Sequence, residues 1–130
     1  MIGLDTNIIV RLLVQDDTAQ LGRVRQALDE CSESNPGLLN SIVLDETVWV
    51  LGSAYGYGRE EIAHAVETLL QIRELEIEHR EQAWEALQHY RSGNADFSDC
   101  YLGAINRKLG CTTTLTLDRK AARMALFRPV

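Results

Sequence analysis

The distribution of apolar and polar residues along the chain predicts short strands separated by amphipathic helices. Apolar residues recur at i and i+4 in TNIIVRLLVQ, as Ile8 and Leu12 do, and this spacing is typical of a helix. The β-prone runs are MIGLD at 1–5, GLLNS at 37–41, ELEIE at 74–78 and CTTTLTL at 111–117, the last predicted as a central strand. Strands separated by helices predict an α/β fold, in which a parallel sheet has helices on both faces.

Further helices are predicted between these strands, and glycines mark where two of them end. The helices are expected from Asp17 or Thr18 to the breaker cluster ESNPG, over IVLDETVWVLGSAYGYG at 42–58, at about 59–72 and 80–92, and over DFSDCYLGAINRKLG at 96–110. Gly56 and Gly58 are expected to end the second of these, and Gly110 the last.

Length and composition are those of one globular domain spanning residues 1–130. The chain is 45% hydrophobic and 25% charged, which is ordinary for a folded soluble protein. Its three cysteines are widely spaced, which favours a reduced cytoplasmic setting over a disulfide framework or a zinc site. Neither a signal peptide nor a membrane span is expected. The net charge of −6 argues against binding of nucleic acid by a general basic field, but not against a local cluster of metal-binding acids.

Two of the predicted strands stop at an aspartate, Asp5 in the first and Asp118 in the last. Ligands of parallel α/β sheets bind outside the carboxyl ends of the strands, so both carboxylates are expected at one edge. Each aspartate also precedes a predicted helix, and a helix N-cap is the simpler interpretation of either residue alone.

Two further segments carry acids that face a helix surface. Asp96 and Asp99 are three residues apart, which fits a variant capping box and also places Asp99 in the first turn of the helix. Glu46 shares its helical face with apolar residues such as Ile42 and Trp49, and so is predicted to be a buried acid that needs a partner. Asp45 is predicted to be the more solvent-exposed of the two neighbouring acids.

Acids from four separate segments therefore have reasons to converge. Clustered carboxylates repel one another unless a cation or protons intervene, and hard oxygen ligands without His or Cys select Mg²⁺ or Mn²⁺. Such ions serve phosphodiester hydrolysis, but these residues alone do not identify the substrate.

Three stretches together resemble the PIN domains, specifically the VapC-like toxins of toxin-antitoxin pairs. They are MIGLDTNIIVRLLVQDD, VLDETVWVLGSAYGYGREEI and ADFSDCYLGAINRKLGCTTTLTLDRKA, and they cover nearly the whole chain in order. The resemblance implies a three-layer α/β/α sandwich and a Mg²⁺- or Mn²⁺-dependent endoribonuclease. It also implies a homodimer, inhibited by a small antitoxin whose C-terminal segment enters the active site.

The resemblance also implies functions for individual residues. The catalytic and metal-binding acids fall on Asp5, Glu46, Asp99 and Asp118. Supporting residues fall on Thr6, Asn7, Asp96 and Thr116, of which Asp96 is the less securely catalytic acid. For Asn7 the alternatives are a cap of the first helix, which is favoured, and a contact with a water outside the direct ligands of the metal. Cys100 stands where the family usually has a small residue such as Ala. Arg11, Arg119 and Lys120 are candidates for phosphate binding, although a solvated side chain is the ordinary state of such residues.

Other interpretations of the same acids stay open. A receiver-like or phosphatase-like α/β domain would use a strand-end Asp as phosphoryl acceptor, but the sequence has no Asp-x-Asp at either strand end. A scaffold with a degenerate site is disfavoured because all four acids are present. A PIN-fold RNA-processing nuclease outside any toxin-antitoxin pair is a further alternative.

One helix is predicted to contribute to assembly. VWVLGSAYGYG places Trp49, Tyr55 and Tyr57 on or just after a helix that is too apolar for a free surface. We therefore expect part of this helix to be buried against a second copy or an antitoxin.

Overall fold

Strands and helices follow one another along the whole chain in the computed structural model, which describes residues 1–130. The chain divides into two compact units, Met1–Glu78 and His79–Val130. The first contains β1 (Ile2–Gly3), α1 (Thr6–Val14), α2 (Thr18–Leu28), β2 (Gly37–Leu39), α3 (Ser41–Ser53), α4 (Arg59–Leu70) and β3 (Leu75–Ile77). The second contains α5 (Arg80–Ser92), α6 (Phe97–Lys108), β4 (Thr114–Thr116), a short 3₁₀ helix (Ala121–Arg123) and β5 (Phe127–Pro129).

All strand pairs are parallel. In the first unit β2 lies between β1 and β3, with Ile2 opposite Gly37 and Leu39 opposite Ile77. In the second unit β4 pairs with β5. The α/β class with parallel strands is therefore confirmed.

The strand around residues 111–117 differs from its prediction in one respect. It was predicted as a central strand, but β4 pairs only with β5, in a separate two-stranded sheet. The sequence analysis did not predict β5, because Phe127–Pro129 is too short to show an alternating pattern and ends in a proline.

Three of the helices begin directly after a polar residue whose side chain caps them. The side chains of Asp5, Asp17 and Asn40 each accept a backbone N–H at the start of α1, α2 and α3. Gly110 follows α6 with a φ of 105°, a left-handed conformation that costs glycine little. The predicted helix boundaries are confirmed to within a few residues, although α3 ends at Ser53, before the glycines expected to stop it.

Each unit has its own apolar core. In the first unit the buried residues come from the strands and from the inner faces of the helices, among them Ile9, Leu39, Leu44, Leu51 and Ile77. In the second unit the ring of Phe97 packs edge-on against Tyr90, at 5.9 Å between centroids, and lies 5.6 Å from the ring of Tyr101. No helix of the chain combines the length and the apolar character needed to cross a membrane.

Candidate active site

Thr6 connects two of the predicted acids in the first unit. Its backbone N–H donates to Asp5 Oδ1 at 2.8 Å, and its side-chain Oγ1 donates to Glu46 Oε2 at 3.3 Å. Thr6 is almost completely buried, with 6% of its surface exposed, so its two donors are held in place by packing. A single residue therefore orients two carboxylates from distant parts of the sequence, Asp5 beside it and Glu46 forty positions further along.

Asp5 is the N-cap of α1, as the simpler interpretation predicted. The cap occupies only Oδ1, and the side chain is exposed, so Oδ2 accepts no hydrogen bond from the protein. Capping the helix therefore leaves one oxygen of Asp5 available to a ligand.

The predicted burial of Glu46 is wrong. Glu46 is exposed on α3, whereas Asp45, predicted to be the solvent-exposed acid, is half-buried. The apolar neighbours of Glu46 are also exposed, Ile42 to 68% and Trp49 to 70%, because α3 turns Leu44 to the core instead. Helical spacing grouped these residues correctly on one face but did not indicate which face of a nearly all-apolar helix is inside.

Asp96 and Asp99 lie at the start of α6 in the second unit. Asp96 occupies the N-cap position but its side chain makes no cap hydrogen bond, so the predicted capping box with Asp99 is not formed. Asp96 is exposed, and Asp99 is half-buried in the first turn of the helix. The exposed carboxylate of Asp96 is therefore not occupied by helix capping.

Asp118 follows β4 and is held by the turn that contains it. Its Oδ1 accepts from the backbone N–H of Ala121 at 2.8 Å, and its own N–H donates to Thr116 Oγ1 at 2.9 Å. Thr116 thus positions the backbone of Asp118. As at Asp5, one carboxylate oxygen is engaged, and Oδ2 of the exposed side chain has no protein partner.

The three cationic candidates have different environments. Arg11 donates to Asp16 and to the hydroxyl of Tyr55, whose ring centroid lies 5.7 Å from the guanidinium carbon. Desolvation lowers the pKa of Arg11, but the hydrogen bond to Tyr55 and the negative charge of Asp16 together raise it by more. The pKa of Arg11 is therefore raised overall. Arg119 and Lys120 are exposed in the turn after Asp118 and form no ion pair.

Asn7 does not cap the first helix, which corrects one of its two predicted roles, since Asp5 is the N-cap. The exposed side chain of Asn7 lines a groove with Gln20 and Arg23. The sequence analysis missed the last two residues. Gln20 and Arg23 are three residues apart and so share a helical face, but only the structure shows which helix that face meets.

The candidate acids carry oxygen ligands of the kind that a hard divalent cation prefers. Asp5, Glu46 and Asp118 each present an exposed carboxylate in which one oxygen accepts a hydrogen bond and the second has no protein partner. Within neither unit do three or more His, Cys, Asp or Glu side chains form a group able to hold a metal ion. The acids instead occur as Asp5 with Glu46 in the first unit, and as Asp96, Asp99 and Asp118 in the second.

Comparison with known proteins identifies one family. A sequence model described as PIN domain matches residues 2–126, which span both units. A VapC ribonuclease of Aquifex aeolicus (strain VF5) is 25% identical over 122 residues, which cover 93% of this chain and 90% of that protein. No solved structure matches the chain.

Proposed function

The chain belongs to the PIN domain family, and on that premise we propose that it is an endoribonuclease that hydrolyses RNA phosphodiester bonds with Mg²⁺ or Mn²⁺. The observation that carries the proposal is the arrangement around Thr6, which holds Asp5 and Glu46 together and leaves each with an unoccupied oxygen. The name of the Aquifex aeolicus relative, a ribonuclease, supports RNA as the substrate. Membership of this family disfavours the receiver-like alternative.

We assign the catalytic site to Asp5, Glu46, Asp99 and Asp118. Because Asp5 and Glu46 lie in the first unit and the other two acids in the second, the assignment rests on the resemblance of the sequence to PIN domains. The match across residues 2–126 supports a single PIN domain that includes all four acids. A bound divalent cation supplies positive charge to the phosphate and lowers the pKa of a water nucleophile. Thr6 orients Asp5 and Glu46, and the turn between Thr116 and Ala121 orients Asp118.

The cationic residues have separate proposed tasks. Arg119 and Lys120 are exposed beside Asp118 and are free to contact a phosphate of the substrate. Arg11 already pairs with Asp16 and Tyr55, so we assign it a mainly structural role.

We further propose that the chain is the toxin of a toxin-antitoxin pair, and that it works in the cytoplasm as a homodimer held inactive by its antitoxin. The exposed apolar stripe of Ile42 and Trp49 supports a protein partner, because large side chains of this kind are seldom left in water together. A cleft of about 620 Å³, with apolar residues such as Leu12 and Ile72 and the acids Glu60 and Glu61 in its lining, offers a second surface for a partner. A PIN nuclease that processes RNA without an antitoxin is the alternative.

Two aspartates that cap neighbouring helices provide a matched test of the catalytic assignment. Asp5 caps α1 and Asp17 caps α2, each through a backbone N–H. Asn caps a helix as well as Asp does, so Asp5→Asn and Asp17→Asn both keep the fold but remove one negative charge. We expect Asp5→Asn, like Asp99→Asn, to abolish cleavage of total RNA, and Asp17→Asn to retain the parent rate.

Chelation and metal addition complete this experiment. The parent should lose activity in EDTA and regain it with Mn²⁺, and its melting temperature should rise with Mn²⁺ because a ligand that binds the native state stabilises it. Asp5→Asn should show a smaller rise than Asp17→Asn. Full activity of Asp5→Asn, or unchanged activity of the parent in EDTA, would overturn the proposal.

A further inference from the structure

A groove of about 340 Å³ runs between α1 and α2 in the first unit. Asn7, Ile8 and Arg11 line it from α1, and Gln20, Arg23, Val24 and Ala27 line it from α2. It is distinct from the acid pair itself, because neither Asp5 nor Glu46 contributes to its lining.

The groove begins next to the candidate active site. Asn7 and Ile8 directly follow Asp5 and Thr6 in the first turn of α1, the same turn whose Thr6 hydroxyl binds Glu46. When the scissile phosphate of an RNA strand lies at Asp5 and Glu46, the next nucleotide of that strand can therefore enter this groove.

The groove is lined by basic and uncharged residues, whereas the protein as a whole is acidic. None of its residues is acidic, although the whole chain carries a net charge of −6. Of its two arginines, Arg11 is neutralised by Asp16, whereas Arg23 is exposed and forms no ion pair. Arg23 is thus the cation that remains available to an anion, and a guanidinium matches the oxygens of a phosphate in geometry as well as charge.

The remaining lining suits the rest of a nucleotide. Ile8 and Val24 provide an apolar wall for the face of a base, and the amides of Asn7 and Gln20 can donate to and accept from base or ribose atoms. A base that enters such a groove must be unstacked and unpaired, as in single-stranded RNA.

We propose that the groove between α1 and α2 binds one unpaired nucleotide of the RNA next to the scissile phosphate, with Arg23 on its phosphate. The proposal rests on the proposed ribonuclease function and adds a subsite to it. Arg23 acts in substrate binding, so its loss raises KM and leaves kcat unchanged.

Arg25 provides a matched control on the same helix. Like Arg23 it is exposed, but it lines a different cavity, together with Asp29 and Glu74. With an oligoribonucleotide that contains a mapped cleavage site, Arg23→Ala should raise KM about tenfold, as the loss of one charge-assisted hydrogen bond typically does. Arg25→Ala should leave KM and kcat at the parent values.

Salt dependence gives a second readout of the same contact. Each phosphate contact to a single strand contributes a slope of about −0.7 to the dependence of log affinity on log salt. Arg23→Ala should therefore flatten the measured slope by about 0.7, and Arg25→Ala should not change it.

A modified substrate identifies the phosphate involved. Binding is measured by fluorescence anisotropy in an Asp118→Asn background, with oligoribonucleotides in which one phosphate beside the cleavage site is an uncharged methylphosphonate. At one position, the methylphosphonate should weaken RNA binding by the protein that retains Arg23. The same replacement should not weaken RNA binding by Arg23→Ala any further. Equal losses with and without Arg23 at every position would overturn the subsite.

The outcomes separate this proposal from the function on which it rests. If the parent cleaves RNA and Arg23→Ala has the parent KM and salt slope, the subsite is wrong and the ribonuclease proposal stands. If the parent binds the oligoribonucleotide in an Arg23-dependent way but cleaves no RNA, the groove stands as a nucleotide-binding site and the catalytic proposal is wrong. If Arg23→Ala loses only the binding of a protein inhibitor and none of its RNA affinity, the groove is a protein site and the proposal is overturned.

Discussion

At the scale of single residues, the cap and the metal ligand are compatible roles for one aspartate. The helix cap at Asp5 and the turn at Asp118 each use only one carboxylate oxygen, which accepts a backbone N–H. The hydrogen bond holds the side chain in one rotamer while the second oxygen faces solvent. Sequence reasoning weighed these roles against each other, whereas the structure shows that the first leaves the second carboxylate oxygen available.

Thr6 allows this positioning to be tested without touching an acid. Thr6→Val has nearly the same shape but lacks the hydroxyl that donates to Glu46, and the backbone N–H to Asp5 remains. A hydrogen bond to a charged group contributes about 1.5–3 kcal/mol, so we expect cleavage to fall about 10- to 100-fold. The ribonuclease rate with Mn²⁺ is the measurement.

Thr6→Ser serves as the control for this change. It keeps the hydroxyl and should restore most of the activity, because the donor to Glu46 is present again. The melting temperatures of both variants should lie close to that of the parent. A rate for Thr6→Val equal to that of Thr6→Ser would show that orientation of Glu46 does not matter for cleavage.

At the scale of secondary-structure elements, the packing of α6 against β5 depends on a glycine. A Cβ atom added at Gly103 would lie 2.6 Å from Cε2 and 3.0 Å from Cζ of Phe127, which is too close for real atoms. Phe127 is itself buried with Ala121 and Leu126 in a small cluster of the second unit. The absence of a side chain at Gly103 therefore lets this strand approach the helix.

The packing predicts opposite effects for two helical glycines. Gly103→Ala should lower the free energy of unfolding by about 1–3 kcal/mol, because overpacking outweighs the better helix propensity of alanine. Gly22→Ala in α2, where nothing lies within 4 Å of the added Cβ, should raise it by up to about 1 kcal/mol. Urea denaturation of both variants measures the difference, and equal stability of the two would contradict the packing argument.

At the scale of the whole molecule, the exposed apolar stripe on α3 carries the assembly hypothesis. Of the three aromatic residues predicted to bury against a partner, only Trp49 is exposed, while Tyr55 and Tyr57 are half-buried and Tyr55 binds Arg11. Ile42 and Trp49 lie two turns apart on the same side of α3. A second copy that covers them would remove a large apolar area from water.

Light scattering tests the homodimer. The parent should have twice the 14.6 kDa mass of the chain at micromolar concentration, and Trp49→Ser should shift the mass toward one chain. Leu109→Ser, which removes a side chain exposed to a similar degree at the end of α6, should leave the mass unchanged. A parent of 14.6 kDa without antitoxin would eliminate the homodimer.

Local patterns in the sequence determined the elements and their chemistry. Apolar spacing and polar caps place α1, α2 and α6 within a few residues, because helix formation depends on neighbours three and four positions away. The acids at Asp5 and Asp118 mark strand ends for the same local reason, since strands exclude aspartate. The resemblance to PIN domains could also be recognised from the sequence alone, and the family match confirms it.

Only the tertiary structure decided which faces are covered and which side chains meet. Helical spacing grouped Glu46 with Trp49 but did not show that this face lies outside, because α3 is apolar on nearly all sides. The bond between Thr6 and Glu46, the contact of Gly103 with Phe127 and the groove beside Arg23 all join residues from different elements. Such contacts depend on how the chain packs in three dimensions, and no periodicity within one segment contains that information.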